Sequence, residues 1–587
     1  GGNYNVVLGS RAGTNITTGD NNVGVGAYAL CDIQTNSQNV AIGTESLKKN
    51  TASNNTAVGY ISLRCNTSGA DNTSVGLCSL TANTTASNNV AVGSAALRLN
   101  TTGANNVSVG RQALCSNTTA TCNTGIGDRT LCANTTGSEN TAVGSFALCT
   151  NTTGDSNVAI GKSSLAASTT AAKNTAVGKD SLCANTTSEN AALGANALKA
   201  QTTGIYNTAV GSNAMIKNTT GTRNVAIGTT AMGCNTTGSC NTAVGGMDAG
   251  TLPVMWLNTT GNQNTAIGNA ALVKNTTASN NTAVGALALY ANTTGASNVA
   301  MGYQAGKNTT TGTCNIAIGT DARRDGTTGD NNVAIGFQSL RESEGADNNT
   351  AVGHETLKAN TTGNLNQAFG AFSLQANTEG VRNTAIGSYA MYDNTTGDYN
   401  TAVGQSALYN NETADNNTAV GYVALNANTT GCQNTAVGVS GLQRNTTGNF
   451  NTVVGDFSLE DNTTGGCNVV LGGVALCQNT TGGRNIAIGR ATLRNNTTAC
   501  DNTAVGFQSM LCNQTGANNT AVGVCSLHCN TASNNTAVGF NSLLKNISGT
   551  ENTSLGAHAL EDNTTADENV AVGFKSLFTN TTGAQNT

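Results

Sequence analysis

Proline occurs once, tryptophan once and histidine three times in 587 residues, and aromatic side chains make up 4%. So few large side chains exclude a thick globular core and leave a thin one built from Val, Ile, Leu and Ala. Charged residues are 10% of the chain, less than half of the roughly 25% usual in globular domains. The net charge of −5 is spread without a run of either sign. Nucleic acid is therefore not an expected partner, because phosphate neutralisation needs clustered Lys and Arg. No segment approaches the ~18 consecutive apolar residues of a membrane helix, and no secretory leader is visible. Neither a membrane span nor a cofactor is expected.

What the chain does have is a beat. The stretch Asn55 to Gly59 reads N-T-A-V-G, and close copies start at Asn5, Asn22, Asn39, Asn72 and onward to Asn569, 34 complete repeats with a truncated one opening at Asn586. Most starts lie seventeen residues apart; three steps are sixteen (Asn39 to Asn55, Asn174 to Asn190, Asn519 to Asn535) and one, Asn241 to Asn264, is 23. With the Asn as position one, the consensus is N-[TV]-A-[VI]-G-x-x-A-L-x-x-N-T-T-G-x-x. A fixed period of this size marks a repeat array whose units meet only their neighbours. Residues 1–587 thus read as one continuous array with a single insertion, 246–257. An α-solenoid would need two helices and more than about 30 residues per repeat, and Gly, Asn and Thr are poor helix formers.

Positions two to four, as in Thr56-Ala57-Val58, favour a strand. Gly at position five suits a corner, Ala-Leu at positions eight and nine reads as a second short strand, and N-T-T-G is a turn. Two strands and two corners make one coil of a parallel β-solenoid. At ~4.8 Å per coil the copies would stack to about 160 Å, a rod. The recurrent Asn becomes a ladder of amides along the axis. Positions two to four carry almost no charge, Gln367 being the clearest polar departure. Both faces of that strand therefore read as buried, one by its own coil and the other by a neighbouring chain. Charges gather at positions six, seven, ten, eleven, sixteen and seventeen, the expected solvent side.

The pentamer N-[TV]-A-[VI]-G resembles the S-V-A-I-G-type head repeat of the YadA-like trimeric autotransporter adhesins, over the whole chain. The resemblance implies a left-handed β-roll, three chains side by side with the pentamer strands facing their partners, and display outside the cell for adhesion. The family's repeat is shorter, the extra residues here falling in the N-T-T-G turn. Long-period repeats of phage and large-virus fibres are also similar.

The turn Asn opens N-x-Thr or N-x-Ser in 26 copies, each an acceptor for N-glycosylation on a secretory route. The candidates are Asn66, Asn83, Asn100, Asn117, Asn134, Asn151, Asn185, Asn218, Asn235, Asn258, Asn275, Asn292, Asn360, Asn428, Asn445, Asn462, Asn479, Asn563 and Asn580. N-T-T-G is also good turn chemistry without any sugar. The 18 Cys sit beside the turns, at spacings that suit disulfides in an oxidising exterior: Cys234 with Cys240, Cys467 with Cys477, Cys115 with Cys132, and Cys512 with Cys529. Zinc is set aside because there are only three His and no C-x-x-C pair. The insertion, Gly246 to Leu257, holds the only Pro and the only Trp. Trp256, with Met247 and Met255, would form an exposed contact loop, or a bulge folded over the rod.

Acids such as Glu139, Asp155, Asp330 and Asp347 are scattered and read as caps on turns, so catalysis is not expected. The array reads instead as a subunit of an extracellular or virion-surface fibre. It would associate with copies of itself, as a trimer and end to end through unpaired terminal strands, with a host surface or glycans as further partners. A receptor-binding adhesin head and an ice-binding Thr ladder are the alternatives. Against the latter, the position-two Thr reads as buried.

Overall fold

The computed structural model describes residues 2–246 and 252–587, and within these it is all β, a parallel β-solenoid with one three-residue strand per coil. The chain divides into two compact units, Gly1–Ala296 and Ser297–Thr587. The first carries β1 (Val6–Leu8) to β17 (Thr282–Val284), and the second carries β18 (Val299–Met301) to β34 (Val570–Val572). Within each unit successive strands pair parallel and in register, as in Val90↔Val107, Ala91↔Ser108 and Val92↔Val109. The register is the repeat itself: an offset of seventeen residues in most pairs, but sixteen for Val40↔Thr56 and 23 for Thr242↔Thr265.

Strand alternation decides what is inside. Position three, usually Ala, points into the coil and is fully buried, as at Ala41, Ala57 and Ala91. Position nine, usually Leu, fills the rest of the lumen and is likewise fully buried at Leu30, Leu47 and Leu63. This is the thin aliphatic core that the composition requires.

The expected second strand at positions eight and nine is a turn. Residues at positions seven and nine hold a left-handed backbone, for example Tyr28 at φ 59° and Leu30 at φ 51°. The Ala29 amide N–H closes back onto the Gly26 carbonyl at 3.3 Å, so the chain curls where an extended strand was expected. A left-handed Leu costs about 1–2 kcal/mol. Full burial of its side chain returns about 1.5–3 kcal/mol, and Leu30 also donates its N–H to the next coil at Ser46 (3.1 Å). Position five must be Gly for two reasons. Gly59 sits at φ 136°, and a Cβ there would lie 2.4 Å from the carbonyl oxygen of Gly76 in the next coil.

The insertion is smaller than the sequence suggests. Val254 and Met255 occupy the Ala-Leu positions of their coil, both fully buried, and Met255 takes the left-handed φ of 48° typical of that Leu. Met247 and the rest of 247–251 lie outside the described residues.

Candidate interaction face and its supporting ladders

Two columns of Asn run inside the coils, and they meet on one carbonyl. The position-twelve Asn83 donates from Nδ2 to Oδ1 of Asn66 in the preceding coil (2.7 Å) and to the Ala86 carbonyl of its own turn (2.9 Å). The position-one Asn72 donates from Nδ2 to that same Ala86 carbonyl (2.9 Å) and to Oδ1 of Asn55 (3.1 Å). Asn55 Oδ1 also accepts the backbone N–H of Asn72 at 3.0 Å. Each amide thus bonds along the axis and clamps the turn of its own coil. Buried polar groups cost little only when satisfied, and a repeated Asn satisfies its neighbour by construction. The sixteen-residue coils adjust locally: Asn50 and Asn530 reach the carbonyl two residues on, Ala52 and Ala532, both at 2.7 Å.

These ladders enclose nearly all of the glycosylation candidates. Asn66, Asn83, Asn100, Asn117, Asn134, Asn151, Asn185, Asn218, Asn235, Asn258, Asn275, Asn292, Asn360, Asn428, Asn445, Asn462, Asn479 and Asn563 are fully buried in their coils. A glycan bonds to Nδ2, the atom that makes the ladder and the clamp, and it would need a path out of a closed coil. Only Asn580, in the last complete copy, is half-exposed, and its Nδ2 still donates to Gly583 (2.8 Å) and Asn563 (3.3 Å).

A third, outer ladder runs along position sixteen, where the Asp155, Asp330 and Asp347 carboxylates accept the backbone N–H of Ser138, Thr313 and Asp330 at 2.7, 2.6 and 2.7 Å. Glu139, one position on, accepts the Ser156 hydroxyl at 3.0 Å. These acids cap turns, as the sequence suggests. Cross-coil ion pairs join equivalent positions of adjacent coils, Arg484 with Asp501 (2.7 Å) at position seventeen and Lys545 with Asp562 (2.7 Å) at position eleven.

The strand face opposite the core is bare. Positions two and four point away from the lumen, so within the chain the strand is buried on one face only, and the position-two Thr is half-exposed. The apolar side chains are displayed: Ile42 is 41% exposed, Leu193 50%, Phe369 38% and Leu471 49%. Just beyond the Gly corner, position six adds Tyr60, Leu77, Tyr303 and Tyr422, all exposed. Both units carry this face. Single exposed apolar residues mean little, but a contiguous rank of them marks an interaction surface.

The cysteines are all thiols. Cys115 and Cys132, on adjacent coils, bring their Sγ atoms to 3.2 Å. The Cys132 S–H pulls the Cys115 thiol down to about 6, while the Cys132 thiol is itself driven up by the same contact. The described contacts of two other proposed pairs are different: Cys234 lies by the Lys217 ammonium (3.9 Å) and Cys477 by the Glu460 carboxylate (3.7 Å). Burial and Glu460 together push the Cys477 thiol up to about 11. Cys240 and Cys467 are exposed. Trp256 sits half-buried, just after the core Met255.

Sequence reasoning passed over Arg323, which stands in the Leu column and is fully buried. Its Nη1 donates to the Thr309 hydroxyl (3.0 Å) and its Nη2 to the Gly329 carbonyl (2.6 Å). Thr309, Gly326 and Ser343 occupy the ladder position in three successive coils where Asn is missing. The guanidinium fills that gap. No protein-family model matches the chain, and no curated protein matches it either.

Proposed function

We propose that the chain is a structural subunit of an extracellular or virion-surface fibre, assembled from copies of itself through the bare strand face. The observation that supports this reading is the exposed rank of Val, Ile and Leu at position four in both units, flanked at position two mostly by Thr or Val. A solvent-facing strand would ordinarily place polar residues on its outer face, whereas this one sets Val, Ile or Leu outward at position four and carries no charge at position two. The resemblance to adhesin heads supports three chains per section with these strands facing one another. Its role is mechanical: coils closed by satisfied amide ladders give stiffness, and thiol pairs such as Cys115 and Cys132 add staples if oxidised. The external location rests on the resemblance and on the cysteine content.

Sedimentation of the full chain tests the assembly. A trimer at micromolar concentration, reduced to monomer by Leu193→Lys together with Leu471→Lys, is the expected result; a wild-type monomer would sink the reading.

One observation favours a second reading. Thr384, Thr401, Thr418, Thr435 and Thr452 follow one another at position two and are half-exposed or exposed. An evenly spaced hydroxyl rank beside Val and Ile is the surface that ice binding needs. Thermal hysteresis by the monomeric chain would favour it over the fibre.

A further inference from the structure

Of the three histidines in the chain, one lies against two cysteines. Cys512 and Cys529 occupy the same column on adjacent coils, and the Cys512 backbone N–H donates to the His528 carbonyl at 2.9 Å, which holds the two coils in register. A ligand atom from each of Cys512, His528 and Cys529 lies within 4.8 Å of the others, and all three residues are half-buried. His528 and Cys529 are adjacent in the chain, and the coil repeat brings Cys512, seventeen residues before Cys529, alongside them.

We propose that Cys512, His528 and Cys529 form a zinc site. The donors are two sulfurs and an imidazole, the soft and borderline ligands that Zn2+ prefers, with a fourth position left for water. The spacing fits. Ideal tetrahedral bonds of about 2.3 Å to sulfur and about 2.05 Å to nitrogen place those two atoms about 3.6 Å apart. His528 Nδ1 stands 3.5 Å from Cys529 Sγ. The nearest cation in the column, Lys545, is engaged by Asp562 at 2.7 Å and turns its charge to that partner. On binding, each thiol gives up its proton to solvent and the sulfur lone pair enters the metal bond. A Cys512–Cys529 disulfide would use the same two sulfurs, so the two fates exclude one another.

The test uses the full chain, reduced and stripped with a chelator, then titrated with zinc chloride against a chromophoric competitor. The other sixteen cysteines are a common background, so wild type is compared with Cys512→Ser, His528→Ala and Cys529→Ser, and with Cys314→Ser as control. The expected result is one more tight equivalent in wild type and control than in the three ligand variants, whose affinity for it falls more than about tenfold. Cobalt in place of zinc should show a sulfur-to-metal charge-transfer band that weakens with each serine. Equal zinc in all four variants and wild type would overturn the proposal. So would peptide mapping that finds Cys512 and Cys529 joined as a disulfide in protein purified without reductant.

Discussion

The ring of Trp256 lies directly over Gly233, the residue at the same position of the preceding coil. A methyl group on Gly233 would come within 2.2 Å of the indole Cζ3. The only Trp is therefore seated by a Gly that leaves it room. Gly233→Ala should lift the ring, with a red-shifted emission and a loss of about 1–3 kcal/mol from overpacking. Because there is one Trp in the chain, its fluorescence reads this site alone. An unchanged emission maximum would show that the ring has other room.

Arg323 and Gly326 form a coupled pair. A Cβ on Gly326 would lie 2.8 Å from the Arg323 side chain. Gly326→Asn alone should therefore destabilise. Combined with Arg323→Leu it restores the consensus, and stability to urea should rise by about 1–4 kcal/mol, as when a buried charge is replaced by apolar packing. A double-mutant cycle in which the two effects simply add would contradict the contact.

Burial pushes the Arg323 guanidinium down to about 10. The folded state then binds its proton less tightly than the unfolded chain, so the cost of burying the charge is fully present below the depressed value. It is relieved as pH rises through it. The stability gap between the double variant and wild type should narrow between about pH 9 and 11, measured by urea titration. A constant gap would contradict this sign.

Asn117→Ala should cost about 2–4 kcal/mol, because it strands Oδ1 of Asn100, Nδ2 of Asn134 and a bond to the Ala120 carbonyl together. The half-exposed Asn580 should tolerate Ala at under about 1 kcal/mol. Expression in glycosylating cells gives a companion test. Peptides containing Asn83, Asn100 and Asn117 from folded protein should carry no glycan by mass spectrometry.

Cys115 should alkylate before the other thiols at neutral pH, with a midpoint near about 6 that rises in Cys132→Ala. Mild oxidation should join the same two residues. Alkylation that is unaffected by Cys132→Ala would refute the pairing.

Several features were legible because a solenoid writes its cross-section into its period. Asn55 recurring as Asn72 and Asn89 meant stacked identical residues, and stacked Asn side chains satisfy one another whatever the rest of the coil does. Thr56–Val58 read as a strand for the same reason, since β-branched residues beside a Gly corner leave few alternatives. The caps at Asp155 and Asp330 followed from turn chemistry.

Other features depended on which way each turn faces, and one coil's sequence does not state that. Leu30 carries no local mark of a left-handed backbone; only the burial of its side chain makes that conformation favourable. Asn83 sits in a turn by sequence, yet its amide faces inward because the Ala86 carbonyl and the Asn66 amide are there to receive it. The insertion likewise looked like a loop around Met255 until the coil drew Val254 and Met255 into the core. His528, beside Cys529 in the chain, met Cys512 only through coil stacking. The chain alone determined the repeat, the parallel strand and the thin aliphatic core, because these follow from side-chain periodicity. The tertiary structure decided which Asn are sealed, which strand face is bare and which thiols meet, because those depend on the closure of each coil and on the coil stacked beside it.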